Sequence, residues 1–142
     1  MEKQERVVVG IDGSDSSKNA LRWALRYAGR TVAKIEAVHA WQLPTSYGAS
    51  IAALPGEDFE AGAERALNES VDRVLGNRTD ITVERVSEMG YPPKVLVEHS
   101  DGADLLVVGS RGHGGLVGTL LGSVSLHCVT HAACPVVVFR GE

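Results

Sequence analysis

The chain has 142 residues, 44% of them hydrophobic and 23% charged, with a formal net charge of −4. That balance excludes wholesale disorder, and a pI of about 5.7 argues against a broad nucleic-acid or anionic-membrane surface. No apolar run approaches the ~18 residues that span a bilayer, the run after the charged N-terminus is shorter than a signal core of ~7–15 residues, and the two cysteines make no disulfide framework. The expectation is a soluble, cytoplasmic, single domain.

Val7 to Ile11 is a short run rich in β-branched residues, ended by Asp12-Gly13-Ser14-Asp15, and reads as a buried strand entering a turn. Ala20, Leu21, Ala24, Leu25 and Ala28 then recur at helical spacing, with Ser14 or Asp15 as N-cap and Gly29 near the end. Ile35 to Trp41 is a second strand, and residues 42–56 form a long loop that could lie over a pocket. A helix follows from about residue 57 to Leu75, its inner stripe Ala63, Leu67, Val71, Val74 and Leu75, with Gly76 as its stop. Ile81 to Val86 alternates apolar and polar residues, as an edge strand does. Pro92 and Pro93 open a third helix, with Val95, Leu96 and His99 on one face. Leu105 to Val108 is a fully apolar strand, Ser123 to Ala132 a helix, and Pro135 to Phe139 a closing strand. Strict β-α alternation implies parallel strands joined by right-handed crossovers, with helices on both faces. Ligands of such sheets sit at the carboxyl ends of the strands, where Asp12 and Gly109 stand.

Glycine is over-represented in one place. Of the 16 glycines, six fall between Gly109 and Gly122, in the sequence GSRGHGGLVGTLLG. This stretch leaves a buried strand and enters a helix. Successive backbone N–H groups in such a turn can converge on an anion, and the helix N-terminus adds favourable charge. Glycine permits the close approach of phosphate oxygens and the positive φ angles that such turns need. The alternative is a tight-turn linker that merely packs. A Walker A loop is excluded, because no lysine lies between Gly109 and Gly122. The dinucleotide pattern GxGxxG also fails, since Gly112 and Gly114 are followed by Val117 at the third place.

The spacing Gly109-x2-Gly112-x9-Gly122-Ser123 resembles the nucleotide-binding pattern of the universal stress protein family, in its ATP-binding branch. The first strand ending at Asp12, the His39-Ala40 pair, the run from Ala103 to Gly109 and the Cys134-Pro135-Val136-Val137-Val138 ending are similar to that family too. The resemblance covers essentially the whole chain, residues 1–142, as one nucleotide-binding domain. It implies a Rossmann-like three-layer α/β/α fold with a five-stranded parallel sheet in the order 3-2-1-4-5. By the same resemblance, Asp12 would bond the nucleoside with Gly10 beside it, and the backbone of Ala40 would pair with the adenine edge. Gly109, Gly112, Gly122, Ser123, Val124 and Ser125 would line the ribose and phosphates, with Arg111, His113, Gly114 and Gly115 lying between these positions. The implied ligand is ATP with Mg²⁺ or Mn²⁺, and the implied partner a second copy of the chain joined through strand 135–139. No nucleic-acid or membrane partner is expected.

Other clusters carry less. His127, Cys128, His131 and Cys134 crowd together but lack the paired spacing of a zinc finger, so a packed thiol and surface imidazoles are the simpler reading. Asp12-Gly13-Ser14-Asp15-Ser16 partly matches the SGGxDS loop of ATP pyrophosphatases, without its leading Ser-Gly, and helix capping explains the segment. Trp41 follows Ala40 and could line the pocket. His113 and Asp12 are the proton-handling groups near the expected phosphates, and nothing places either beside an attacking water. The chain therefore reads as an ATP-binding stress-response regulator with little or slow hydrolysis. A metal-dependent ATP hydrolase or pyrophosphatase-type enzyme, and an AMP- or cyclic-AMP-binding module, remain the alternatives.

Overall fold

Val7, Val8 and Val9 are fully buried, so successive side chains of one strand need apolar cover on both faces of a sheet. A computed structural model, which describes residues 4–43, 58–111 and 121–141, shows how that cover is provided. The elements are β1 (Glu5–Gly10), α1 (Asp15–Thr31), β2 (Ala33–Trp41), α2 (Phe59–Leu75), β3 (Val83–Met89), α3 (Pro92–Ser100), β4 (Leu105–Gly109), α4 (Ser123–His131) and β5 (Val136–Phe139). The five strands form one parallel sheet in the order β3-β2-β1-β4-β5. This is the fold class and strand order that the family resemblance implied.

One apolar layer joins Val7, Val9, Ile35 and Val107 to Leu21, Ala24 and Leu25 of α1 and Leu67 and Val71 of α2. The other joins Val8, Val38, Leu106 and Val108 to Val95 and Leu96 of α3 and Cys128 of α4. Alternate residues of each strand thus feed opposite layers, as strand geometry requires.

Local chemistry explains the helix starts. The Ser14 side chain accepts from the Ser17 N–H and caps α1, while Asp58 caps α2 by accepting from Ala61 N–H at 3.0 Å. The helix ends are less regular. Gly29 lies near the end of α1, as expected; the helix closes at Thr31, and Val32 takes the left-handed cap at φ 57°. β3 lies further along the chain than Ile81 to Val86, because its register follows β2 to the pair Trp41 and Met89. Only part of the expected loop 42–56 can be placed, and the lid idea falls on residues outside the described ones.

The strand order reverses between β1 and β4. From β1 the chain steps to β2 and β3 on one side, then crosses to β4 and β5 on the other. The carboxyl ends of β1 and β4 therefore diverge, leaving the crevice in which open α/β sheets hold ligands.

Candidate functional site

A cavity of about 270 Å³ occupies that crevice. β1 contributes Gly10 and the following Ile11 and Asp12; β4 contributes Val108, Gly109 and, just beyond, Arg111. Val38 and Ala40 of β2 form one wall, Pro92 and Leu96 of α3 another, and Gly122 to Ser125 the α4 end. Nine of the thirteen site residues expected from the sequence line this one cavity: Gly10, Asp12, Ala40, Gly109, Arg111, Gly122, Ser123, Val124 and Ser125. The other four, Gly112, His113, Gly114 and Gly115, lie outside the described residues.

The two glycines at the strand ends have steric reasons to be glycine. A Cβ on Gly109 would stand 2.7 Å from the Ser16 carbonyl oxygen, so α1 starts hard against β4. A Cβ on Gly10 would meet the Leu96 side chain at 2.9 Å and press it towards the cavity.

The backbone supplies the polar groups. Ile11 N–H donates to the Val38 carbonyl at 2.8 Å, and Gly90 N–H donates to the Trp41 carbonyl at 2.8 Å. Peptide groups alternate sides along a strand, so Ala40 turns its N–H and C=O towards β1. The β1 ladder ends at the Gly10–Val38 pair, and no strand residue stands opposite Ala40 on that side. A flat heterocycle with a donor and an acceptor on one edge can complete that pairing.

At the other end, α4 begins at Gly122, which offers no side-chain cap. Leu126 N–H is the first to bond back to the Gly122 carbonyl, at 3.0 Å. Among the described residues, no side chain caps the N–H groups of the first helical turn, and the helix dipole favours an anion there. α1 differs, because its first turn is closed by Ser14 and its cap is held by Asp12, which accepts from Ser14 N–H at 2.9 Å. Helix capping thus accounts for the segment that partly matched a pyrophosphatase loop.

Two expectations are refined by the contacts. Ser125 is 2% exposed, and its hydroxyl is taken up with the Gly122 and Ser110 carbonyls, so it closes the loop base while Ser123 is exposed. Gly122 N–H donates to the same Ser110 carbonyl at 2.6 Å. Trp41 does not line the cavity, because strand alternation sends its side chain to the face opposite Ala40. Ile11, Ser17, Val38, Pro92, Leu96 and Val108 were missed. All but Ser17 are the apolar walls, and the α3 pair carries no motif that could have flagged it.

Of His127, Cys128, His131 and Cys134, only Cys128 is packed in the core. Cys128 is fully buried, burial pushes its thiol up to about 11, and the His127 and His131 rings lie 4.5 Å apart. Among the described residues, no group of three or more His, Cys, Asp or Glu side chains is placed to hold a metal ion.

Residues 4–140 match the universal stress protein family. The chain belongs to that family. A universal stress protein of Mycobacterium tuberculosis (strain H37Rv) is 43% identical over 138 residues, covering 94% of this chain and 45% of the relative. The chain therefore spans a little under half the length of that curated relative. Among solved structures, a universal stress protein in complex with cAMP is 32% identical, with a TM-score of 0.71 and 98% of each chain covered. An Arabidopsis thaliana family protein with AMP bound is 25% identical, with a TM-score of 0.65, covering 97% of this chain and 92% of that one. No helix among the described residues is long and apolar enough to cross a membrane.

Proposed function

We propose that this universal stress protein family member is an adenine-nucleotide-binding regulator, with ATP and an accompanying Mg²⁺ or Mn²⁺ as its principal ligand. The observation that carries the reading is one cavity holding two kinds of open backbone group. Among the described residues, the Ala40 peptide at one end has no strand opposite, and the first turn of α4 at the other has no side-chain cap. The first suits the edge of an adenine ring and the second a phosphate. The apolar walls from Val38, Leu96 and Val108 suit the faces of the base, and Asp12 beside Gly10 supplies an acceptor for ribose hydroxyls.

The residues present fit such a ligand. Gly109 and Gly122 bring backbone close to the phosphate end, Ser123 adds an exposed hydroxyl and Arg111 a charge. A metal ion accompanying ATP would neutralise phosphate charge. The reading is of binding with little or slow hydrolysis, in one nucleotide-binding domain spanning residues 1–142. A second copy of the chain is the proposed partner, through the free edge of β5, in a protein acting in the cytoplasm.

A second reading is favoured by the solved relatives, whose complexes hold cAMP and AMP. Titrating ATP, AMP and cyclic AMP in parallel, with and without Mg²⁺, separates the two. ATP as the tightest ligand supports the main reading, and tightest binding of AMP or cyclic AMP supports the second. Steady metal-dependent ADP or AMP release that survives further purification would instead establish the hydrolase alternative.

A further inference from the structure

Arg22, Arg26 and Arg30 stand four residues apart on α1, and all three are exposed. Steps of four set them in one row, ~6 Å apart along the helix axis. The row lies opposite the buried stripe Ala20, Leu21, Ala24, Leu25 and Ala28, so it crests the outer face of the helix. In a chain of net charge −4, α1 holds four of the 14 basic residues and only one of the 18 acidic ones. That one, Asp15, lies 3.8 Å from the Lys18 ammonium. Among the described residues, none of the three arginines makes an ion pair. None of them lines the nucleotide cavity.

Two features of this face work against the helix itself. Like charges at i and i+4 repel each other and weaken it. Gly29, exposed between Arg26 and Arg30, is a poor helix former, and open space stands where its Cβ would be. Packing within the described residues therefore gives no reason for glycine at this position. What the glycine does provide is bare backbone between two guanidinium groups, which another chain can approach closely.

We infer that the outer face of α1 docks an acidic helical segment of another protein, with carboxylates on Arg22, Arg26 and Arg30 and the segment seated over Gly29. Carboxylates at every fourth position of a helix repeat at the spacing of the arginine row. Each planar guanidinium presents paired donors to a carboxylate and stays charged at any working pH. The surrounding charge favours this occupant over other polyanions. α2 packs beside α1 under the same apolar layer and carries exposed Glu60, Glu64 and Glu69. A nucleic-acid duplex, wider than one helix, would overlie those carboxylates, whereas a single helix on the row need not. An anionic lipid surface would find no apolar side chain in the row to bury.

The test is fluorescence anisotropy at low salt, using a labelled alanine-based helical peptide with glutamate at every fourth position. The wild type should bind it saturably, and added salt should weaken the complex. The R22Q/R26Q/R30Q variant should bind at least about tenfold more weakly. Gly29→Gln keeps the charge and suits a helix, so it should retain the circular dichroism of the fold yet lose affinity several-fold. Saturating ATP should leave peptide binding unchanged, because the docking face and the nucleotide cavity are separate. Equal binding by the wild type and the triple variant, equal binding of a glutamine-for-glutamate peptide, or no saturable binding would overturn the inference. So would tighter binding of duplex DNA or phosphatidylserine vesicles, or displacement of the peptide by ATP. An unchanged affinity in Gly29→Gln would overturn the seating over that residue.

Discussion

Gly109 is the residue on which the site and the fold meet. Its Cα faces the Ser16 carbonyl, a backbone atom that cannot swing away. Gly109→Ala should therefore destabilise the protein by about 1–3 kcal/mol, as overpacking does, read as a lower urea midpoint. Gly122 behaves differently. Its φ of −74° and ψ of 168° are open to any residue, so Gly122→Val should keep the fold and lose nucleotide binding through crowding at the α4 terminus. A second residue-scale expectation concerns Glu36 and His99. Burial alone would raise the Glu36 carboxyl, but hydrogen bonds from Arg6 and His99 outweigh it and hold it below the usual range. Burial likewise opposes charge on His99, and the carboxylates of Glu88 and Glu36 on its two ring nitrogens outweigh that and raise it. The His99 contribution is complete below the unfolded histidine value and is lost as pH rises through the raised folded value. The Glu36 contribution is complete above the unfolded carboxylate value and is lost as pH falls through the lowered one. Stability from this cluster is thus greatest between about pH 5 and 6. Urea midpoints measured from acid to mildly alkaline pH should fall on the alkaline side in the wild type, and His99→Gln should flatten that fall.

At the scale of elements, α1 offers two positions where sequence and geometry disagree. Val32 holds the left-handed cap conformation that β-branched residues resist, and it is 75% exposed, so it gains little from packing. Val32→Gly should stabilise the protein by about 1 kcal/mol. Gly29 sits inside the helix with open space where a Cβ would stand, and Gly29→Ala should add about 0.8–1 kcal/mol. Thermal melts of the two variants check both values. The same helix shows what was legible in the sequence. The stripe Ala20, Leu21, Ala24, Leu25 and Ala28 and the Ser14 cap were readable, because burial periodicity and capping are local. Its end was legible only to within a turn: Gly29 lies near it, and the helix closes at Thr31 with Val32 as its cap. β3 was misplaced by two or three residues because pairing with β2, a long-range contact, sets its register.

For the whole molecule, the cavity's place follows from one fact, the reversal of strand order between β1 and β4. Strict alternation of strands and helices made the layers readable, and it pointed to the strand ends where the cavity lies. The apolar walls from α3 were not readable, because Pro92 and Leu96 reach the cavity only once distant segments have folded together. The fold also bears on assembly. Leu106 N–H donates to the Pro135 carbonyl and Ser110 N–H to the Phe139 carbonyl, so alternate peptides of β5 face β4 and those of Val136 and Val138 face outward. Val138→Pro removes an outward donor without touching the β4 ladder. If a second copy adds at this edge, sedimentation should shift from dimer to monomer while the circular dichroism of the fold persists.

The central claim is that backbone groups at the ends of β2 and α4 hold an adenine nucleotide. Calorimetric titration of ATP with Mg²⁺ into the wild type and the folded Gly122→Val variant tests it most directly. The account requires saturable binding near one nucleotide per chain in the wild type and at least tenfold weaker binding in the variant. Equal binding by both proteins, or none by the wild type, would contradict it.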